Sequence, residues 1–330
     1  MWRTGVAADR TDEEIRVLKK LRLLLLGAVL IVCLILGALQ QFLASVGGTR
    51  QPVTEINVEG HQVALWKPAG PAPAGGYPVI LFSHGFTGCN TQSIDLMEAL
   101  ASAGYLVLAP NHQDAMCGSA RRKGEWYPTK LFEKLYTTRS QQPFRSPDAW
   151  SDTTYRDRAD DVEAILNKVL SERTFQGVPL DAQCVGIAGH SLGGYTALGL
   201  AGAWPSWKDR RIKAVLGLSP YCAPFILKGD LRHLGVPAMY QGGTLDLNIT
   251  PSVRRLGGAF DLTSAPKYYV EFAGAGHFAW TNLSKQYQTL IASYAVRFFD
   301  RYLKDQPGST DPIADTAVPK QVKTFKAVPK

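Results

Sequence analysis

The sequence predicts an α/β fold: a mostly parallel sheet of about eight strands with helices on both faces, preceded by one N-terminal transmembrane helix. Three observations carry this reading. Short apolar runs recur between stretches of helical character, a glycine-rich turn joins one such run to a helix, and the first fifty residues hold a long uncharged window. Strands alternating with helices build a parallel sheet that must be covered on both faces.

The uncharged window comes first along the chain. Leu23 to Thr49 is 27 positions without a charge. At about 1.5 Å per residue, a helix over 23–46 is long enough for a hydrocarbon core of roughly 30 Å. Arg3, Arg10, Arg16, Lys19, Lys20 and Arg22 precede it. By the positive-inside rule, 1–22 is then a cytoplasmic basic flank, 23–46 a signal anchor, and the rest is exported to the periplasmic or extracellular side. Cleavage near Val46-Gly47-Gly48 is the competing reading and would make the protein secreted.

The exported part, 52–303, reads as one domain. Residues 54–58 and 63–66 alternate around Gly60 as a hairpin does. Runs at 79–83, 105–109, 185–188, 214–218, 238–241 and 267–272 fit buried strands, and 93–103, 155–170, 192–201, 252–256 and 281–302 fit helices. The connection 111–154 is too long for a plain loop and reads as an inserted, lid-like segment. The last stretch, 304–330, carries Pro307, Pro312, Pro319 and Pro329 among lysines and reads as a disordered tail.

Composition excludes several functions. Lys and Arg number 36 against 28 Asp and Glu, a net charge of +8, with no basic stripe interleaved with aromatics, so nucleic-acid binding is not expected. Six His and five Cys show no metal-ligand spacing, and the phosphate-binding glycine loops are absent. Neither a metal nor any cofactor is expected. Cys33 falls in the anchor; of Cys89, Cys117, Cys184 and Cys222, the favoured pair is Cys89–Cys117, both placed after strands at the same sheet edge.

Gly189-His190-Ser191-Leu192-Gly193-Gly194 follows the strand at 185–188 and opens a helix, the context a nucleophile elbow requires. A serine hydroxyl needs a base and an orienting acid. His277 follows the strand at 267–272, and Asp246 follows the strand at 238–241, with Asp230 and Asp261 as alternative acids. One oxyanion donor is expected from Leu192 N–H and a second from Phe86, where Gly85 lets the chain bend towards the site. His84, His112 and His190 are expected to pack or to orient loops. Phe86, Phe278 and Trp280 suggest an apolar or aromatic substrate-binding wall.

The set Phe82-Ser83-His84-Gly85-Phe86, Gly104-Tyr105 with Pro110-Asn111-His112, the elbow, Asp246 and His277 resembles the α/β-hydrolase superfamily. Within it, the chain looks like the branch of platelet-activating-factor acetylhydrolases, dienelactone hydrolases and polyester cutinases. Ser191 departs from the Cys nucleophile of the dienelactone hydrolases, and Leu192 from the Phe usual in the acetylhydrolases. The resemblance implies a metal-free serine esterase with its second oxyanion donor after His-Gly, here Phe86. The expected activity is hydrolysis of short to medium acyl or aromatic esters through an acyl-enzyme, falling below about pH 6–7 as a histidine base becomes protonated. A membrane-surface phospholipase or acetylhydrolase, an amidase, and an anchored binding module are the alternatives. Oligomeric state is not legible.

Overall fold

A strand buried on both faces must hydrogen-bond to a neighbour on each side, and the apolar runs of this chain do so in one continuous sheet. The computed structural model describes residues 53–116, 144, 146–228, 230–304 and 318–329. The chain enters through a hairpin, β1 (Thr54–Val58) and β2 (His61–Trp66), turning at Glu59 and Gly60, both at positive φ. Then follow β3 (Tyr77–Ser83), α1 (Ile94–Ser102), β4 (Leu106–Pro110) and α2 (Arg156–Leu170). A second hairpin joins β5 (Thr174–Phe175) to β6 (Val178–His190), and α3 (Leu192–Leu198) runs on into a π turn, Gly199–Ala203. Next come β7 (Ile212–Leu218), α4 (Ala223–Lys228), β8 (Ala238–Gly243), α5 (Thr250–Arg254) and α6 (Ala259–Leu262). The chain closes with β9 (Lys267–Phe272), α7 (Gln288–Leu303) and β10 (Val322–Val328).

The strand order is β1-β2-β4-β3-β6-β7-β8-β9-β10, with β5 on β6. The six strands from β4 to β9 are parallel, while β1, β2 and β10 run antiparallel at the two margins. One core lies under α2 and α3, where Ala159, Val162, Ile165, Leu166 and Val169 form the buried stripe of α2. The other lies under α1 and α7, where Leu96, Met97 and Leu100 meet Ile291, Phe298, Phe299 and Leu303. Burying both faces leaves the strands near-continuously apolar, which is why they were visible as runs.

Three expectations need correction. The described residues form ten strands rather than about eight. The end of the stretch read as a disordered tail is a strand: β10 pairs with β9 from Val322↔Phe272 to Val328↔Lys267. Its lysines sit on an edge strand, where charge blocks further pairing, while Val322 is buried and Phe325 packs against the α1/α7 core. The last helix begins at Gln288 rather than 281, because Asn282 is spent on the start of α1, accepting Ile94 N–H at 2.9 Å. The expected transmembrane helix at 23–46 and most of the segment 111–154 lie outside the described residues. Among the described residues no helix is long and apolar enough to cross a membrane.

Candidate active site

Five parallel strands, β3, β6, β7, β8 and β9, end at one edge, and the loops leaving that edge carry the expected site residues. β6 ends at His190, and Ser191 follows at φ 56°, ψ −117°, directly ahead of α3. This left-handed turn is enforced by close approach on both sides. A Cβ on Gly189 would overlap the Gly193 carbonyl, and one on Gly193 would overlap the Ser83 carbonyl. The turn is tied down by Ser191 N–H donating to Leu218 O at 3.1 Å and Tyr221 N–H donating to Ser191 O at 2.9 Å.

His277 stands on the loop after β9 with its Nε2 3.0 Å from Ser191 Oγ and its Nδ1 3.2 Å from Asp246 Oδ2. A tautomer protonated on Nδ1 donates to the carboxylate and leaves Nε2 to accept the serine proton. Asp246 is buried after β8. Burial pushes its carboxyl upward, but hydrogen bonds from His277, Ser219 and Thr250 outweigh this and hold it below the ordinary carboxylate value. Asp261 instead accepts Gly257 N–H at 2.9 Å on the surface, and Asp230 precedes β8 in a short turn. The structure therefore brings Ser191, His277 and Asp246 together.

The loop after β3 lies against the nucleophile, since a Cβ on Gly85 would stand 3.4 Å from Ser191 Cβ. Three anchors set its course. Gln92 Oε1 accepts Gly85 N–H at 3.0 Å, and its Nε2 meets His190 Nδ1 at 3.1 Å, tying loop to elbow. Asp114 Oδ2 accepts Thr87 N–H at 2.9 Å. Arg158, wholly buried on α2, donates to His84 O at 2.8 Å and to Gly85 O at 3.3 Å while pairing with both oxygens of Asp114. Asp114 is held well below the usual carboxylate range because the neighbouring Arg158 charge overcomes the effect of burial. Phe86 lines the resulting cavity, and Leu192 is the buried first residue of α3.

The accessory histidines orient loops as expected. His112 N–H donates to His84 Nε2 at 3.1 Å, which leaves His84 Nδ1–H to donate to Gly85 O at 2.7 Å. His112 bridges Asp161 Oδ2 at 2.8 Å and Ser83 Oγ at 2.9 Å. Burial, reinforced by the Arg158 charge, lowers both imidazoles well below their ordinary value. His190 packs at a tilt against His277 with ring centroids 4.9 Å apart, and its Nε2 lies 2.9 Å from His277 O. Burial first, and the His277 charge second, push its pKa down to about 3.

A cavity of about 720 Å³ opens over Ser191 and His277, walled by Phe86, Phe144, Tyr221, Ile249, Phe278 and Leu283. Phe278 is 59% exposed, so it forms rim as well as wall. Trp280 does not belong to this wall. It is fully buried, donates Nε1–H to Gln241 Oε1 at 3.0 Å and stacks behind His190. An indole flanked by an apolar strand is more readily buried than offered to a ligand, and its place on the wall is taken by Phe144 and Tyr221.

Comparison with known proteins agrees with this architecture. The chlorophyllase family model matches residues 47–125, the stretch containing β1 to β4 and the loop after β3. A chlorophyllase type 0 of Chenopodium album is 27% identical over 206 residues, 60% of this chain and 49% of the relative. Both matches support an α/β-hydrolase esterase superfamily for the chain. It spans about half the length of the curated relative it matches, and the matched family segment stops ahead of Ser191. Several residues at the site escaped the sequence reading. Gln92, Asn282 and Arg158 act through contacts far along the chain and leave no local pattern. Ser219 and Tyr221 follow β7 at the same sheet edge, and that position is the one signal that singles them out.

Proposed function

We propose that the chain is a serine carboxylic-ester hydrolase in which Ser191 is the nucleophile, His277 the base and Asp246 the orienting acid. One observation carries the reading: His277 Nε2 is 3.0 Å from Ser191 Oγ while its other nitrogen faces a buried carboxylate. His277 takes the Ser191 proton as Oγ attacks the ester carbonyl, and Asp246 stabilises the imidazolium that forms. The Phe86 and Leu192 N–H groups hold the developing oxyanion. The alcohol leaves with the proton from His277, and water then attacks the acyl-enzyme through the same base.

The aromatic and aliphatic wall favours short to medium acyl or aromatic esters over polar ones, and the relative's name adds chlorophyll to the esters worth offering. The uncharged window at 23–46 behind a basic flank supports an anchored, exported enzyme. Cys222 is a free thiol, and Met116 N–H, one residue before Cys117, donates at 3.0 Å to Gly88 O, one residue before Cys89. Both facts support the Cys89–Cys117 pair.

The test is a p-nitrophenyl ester series from acetate to palmitate, with a fluorophosphonate probe in parallel. The wild type should turn over the short esters and label at Ser191. Ser191→Ala should lose about four to six orders of magnitude in rate. Unchanged hydrolysis in that variant would end the proposal.

A further inference from the structure

A fourth polar side chain stands where the proposed base meets its acid. Ser219 is the first residue after β7, midway between the elbow strand β6 and the acid strand β8, and it is fully buried. Its backbone takes a left-handed φ of 43°, which a residue with a Cβ rarely adopts. Its N–H is locked onto Gln241 O at 2.7 Å. From that position Oγ donates to Asp246 Oδ2 and lies 3.0 Å from His277 Nδ1.

The proton count on this hydroxyl decides what it does. A serine has one proton and two lone pairs. Once the proton goes to Asp246, Oγ can only accept from the imidazole. The Nδ1–H of His277 is thus shared between Ser219 Oγ at 3.0 Å and Asp246 Oδ2 at 3.2 Å. Thr250 Oγ1 approaches the same Oδ2 at 3.3 Å while accepting Gly243 N–H at 3.0 Å, so the carboxylate is held from two sides.

We infer that Ser219 is a positioning residue for the hydrolysis proposed above: its hydroxyl fixes the Asp246 carboxylate and the Nδ1-protonated tautomer of His277, so that Nε2 faces Ser191. The inference rests on that assignment of base and acid. A purely architectural role does not need the hydroxyl. Glycine would satisfy the left-handed backbone with less strain, and alanine would fill the same buried space.

The experiment uses the full chain in detergent, with Ser219→Ala and Ser219→Gly assayed on p-nitrophenyl acetate. Both variants should lose about ten- to a hundredfold in kcat, the scale of a misaligned reacting group, with KM nearly unchanged. The fluorophosphonate labelling rate should fall in parallel, and the downfield proton resonance of His277 Nδ1 should shift or broaden. Ser219→Gly relieves the backbone strain, so it keeps the test open should the alanine variant fold poorly. Wild-type kcat and an unmoved resonance in a folded variant would overturn the inference. If Ser191→Ala and His277→Ala are inactive while the Ser219 variants are not, only the role of Ser219 falls. If Ser191→Ala or His277→Ala is itself active, the esterase assignment falls and takes Ser219 with it.

Discussion

Arg158 shows how much of the site is held by a side chain that never faces the cavity. Its guanidinium is the only charge opposing the buried Asp114 carboxylate at hydrogen-bond distance among the described contacts, and it also holds two carbonyls of the loop after β3. Arg158→Met should therefore cost about 3–5 kcal/mol, because an uncompensated buried charge remains. Urea unfolding of the Ser191→Ala background, with and without the change, measures this. Adding Asp114→Asn should recover part of the loss, and no loss at all would mean the pair is idle. The sequence could not disclose this pair, since its partners lie 44 to 75 positions apart. Ser191, His277 and Asp246 were legible for the opposite reason: each immediately follows a buried strand, and parallel strands bring such residues to one edge.

At the scale of the element, the elbow is a contact between two backbones as much as a tight turn. Gly193 lies so close to the Ser83 carbonyl that no side chain fits between α3 and the loop after β3. Gly193→Ala should push that loop outward, lowering esterase kcat/KM at least tenfold and the melting temperature by several degrees, as overpacking against backbone does. Wild-type kinetics in this variant would show that the contact can relax. The strands were readable because burial on both faces makes them uniformly apolar. β10 was not, because only Val322, Phe325 and Ala327 turn to the core, and the stretch 304–330 around it is rich in lysines and prolines. The β5–β6 hairpin was missed for a related reason: it is short, half exposed, and turns at Gln176 and Gly177 without the usual Asn-Gly signal.

The whole molecule stores its acid sensitivity in buried neutral imidazoles. His84, His112 and His190 all have lowered pKa values in the fold. The unfolded chain takes up those protons near the ordinary imidazole value of about 6.5, and the native state does not. Their stabilising contribution is thus complete above about pH 6.5 and shrinks as pH falls towards the folded values, each at up to about 1.4 kcal/mol per pH unit. Asp161, pushed up to about 6 chiefly by burial, acts in the opposite sense: the native state holds its proton between about pH 4 and 6, so its term improves as pH falls. Three deeply buried imidazoles against the raised carboxyls of Asp161 and of the less buried Glu163 and Asp230 should make the melting temperature drop from pH 7 to pH 4.5, which differential scanning fluorimetry can follow. A flat or rising profile would contradict the burial of these rings in neutral form. The cysteines provide a second global check, since non-reducing peptide mapping should recover Cys89 linked to Cys117 with Cys222 alkylated. Recovery of both Cys89 and Cys117 as free thiols would dispose of the pairing.

β10 runs back along β9 from the carboxyl edge, where Val322 meets Phe272, to the amino edge, where Val328 meets Lys267. The polypeptide consequently leaves the sheet on the side away from Ser191. An affinity handle or resin linkage added after Val328 would hold the protein by its back, and the mouth of the cavity would stay turned towards the reagent stream.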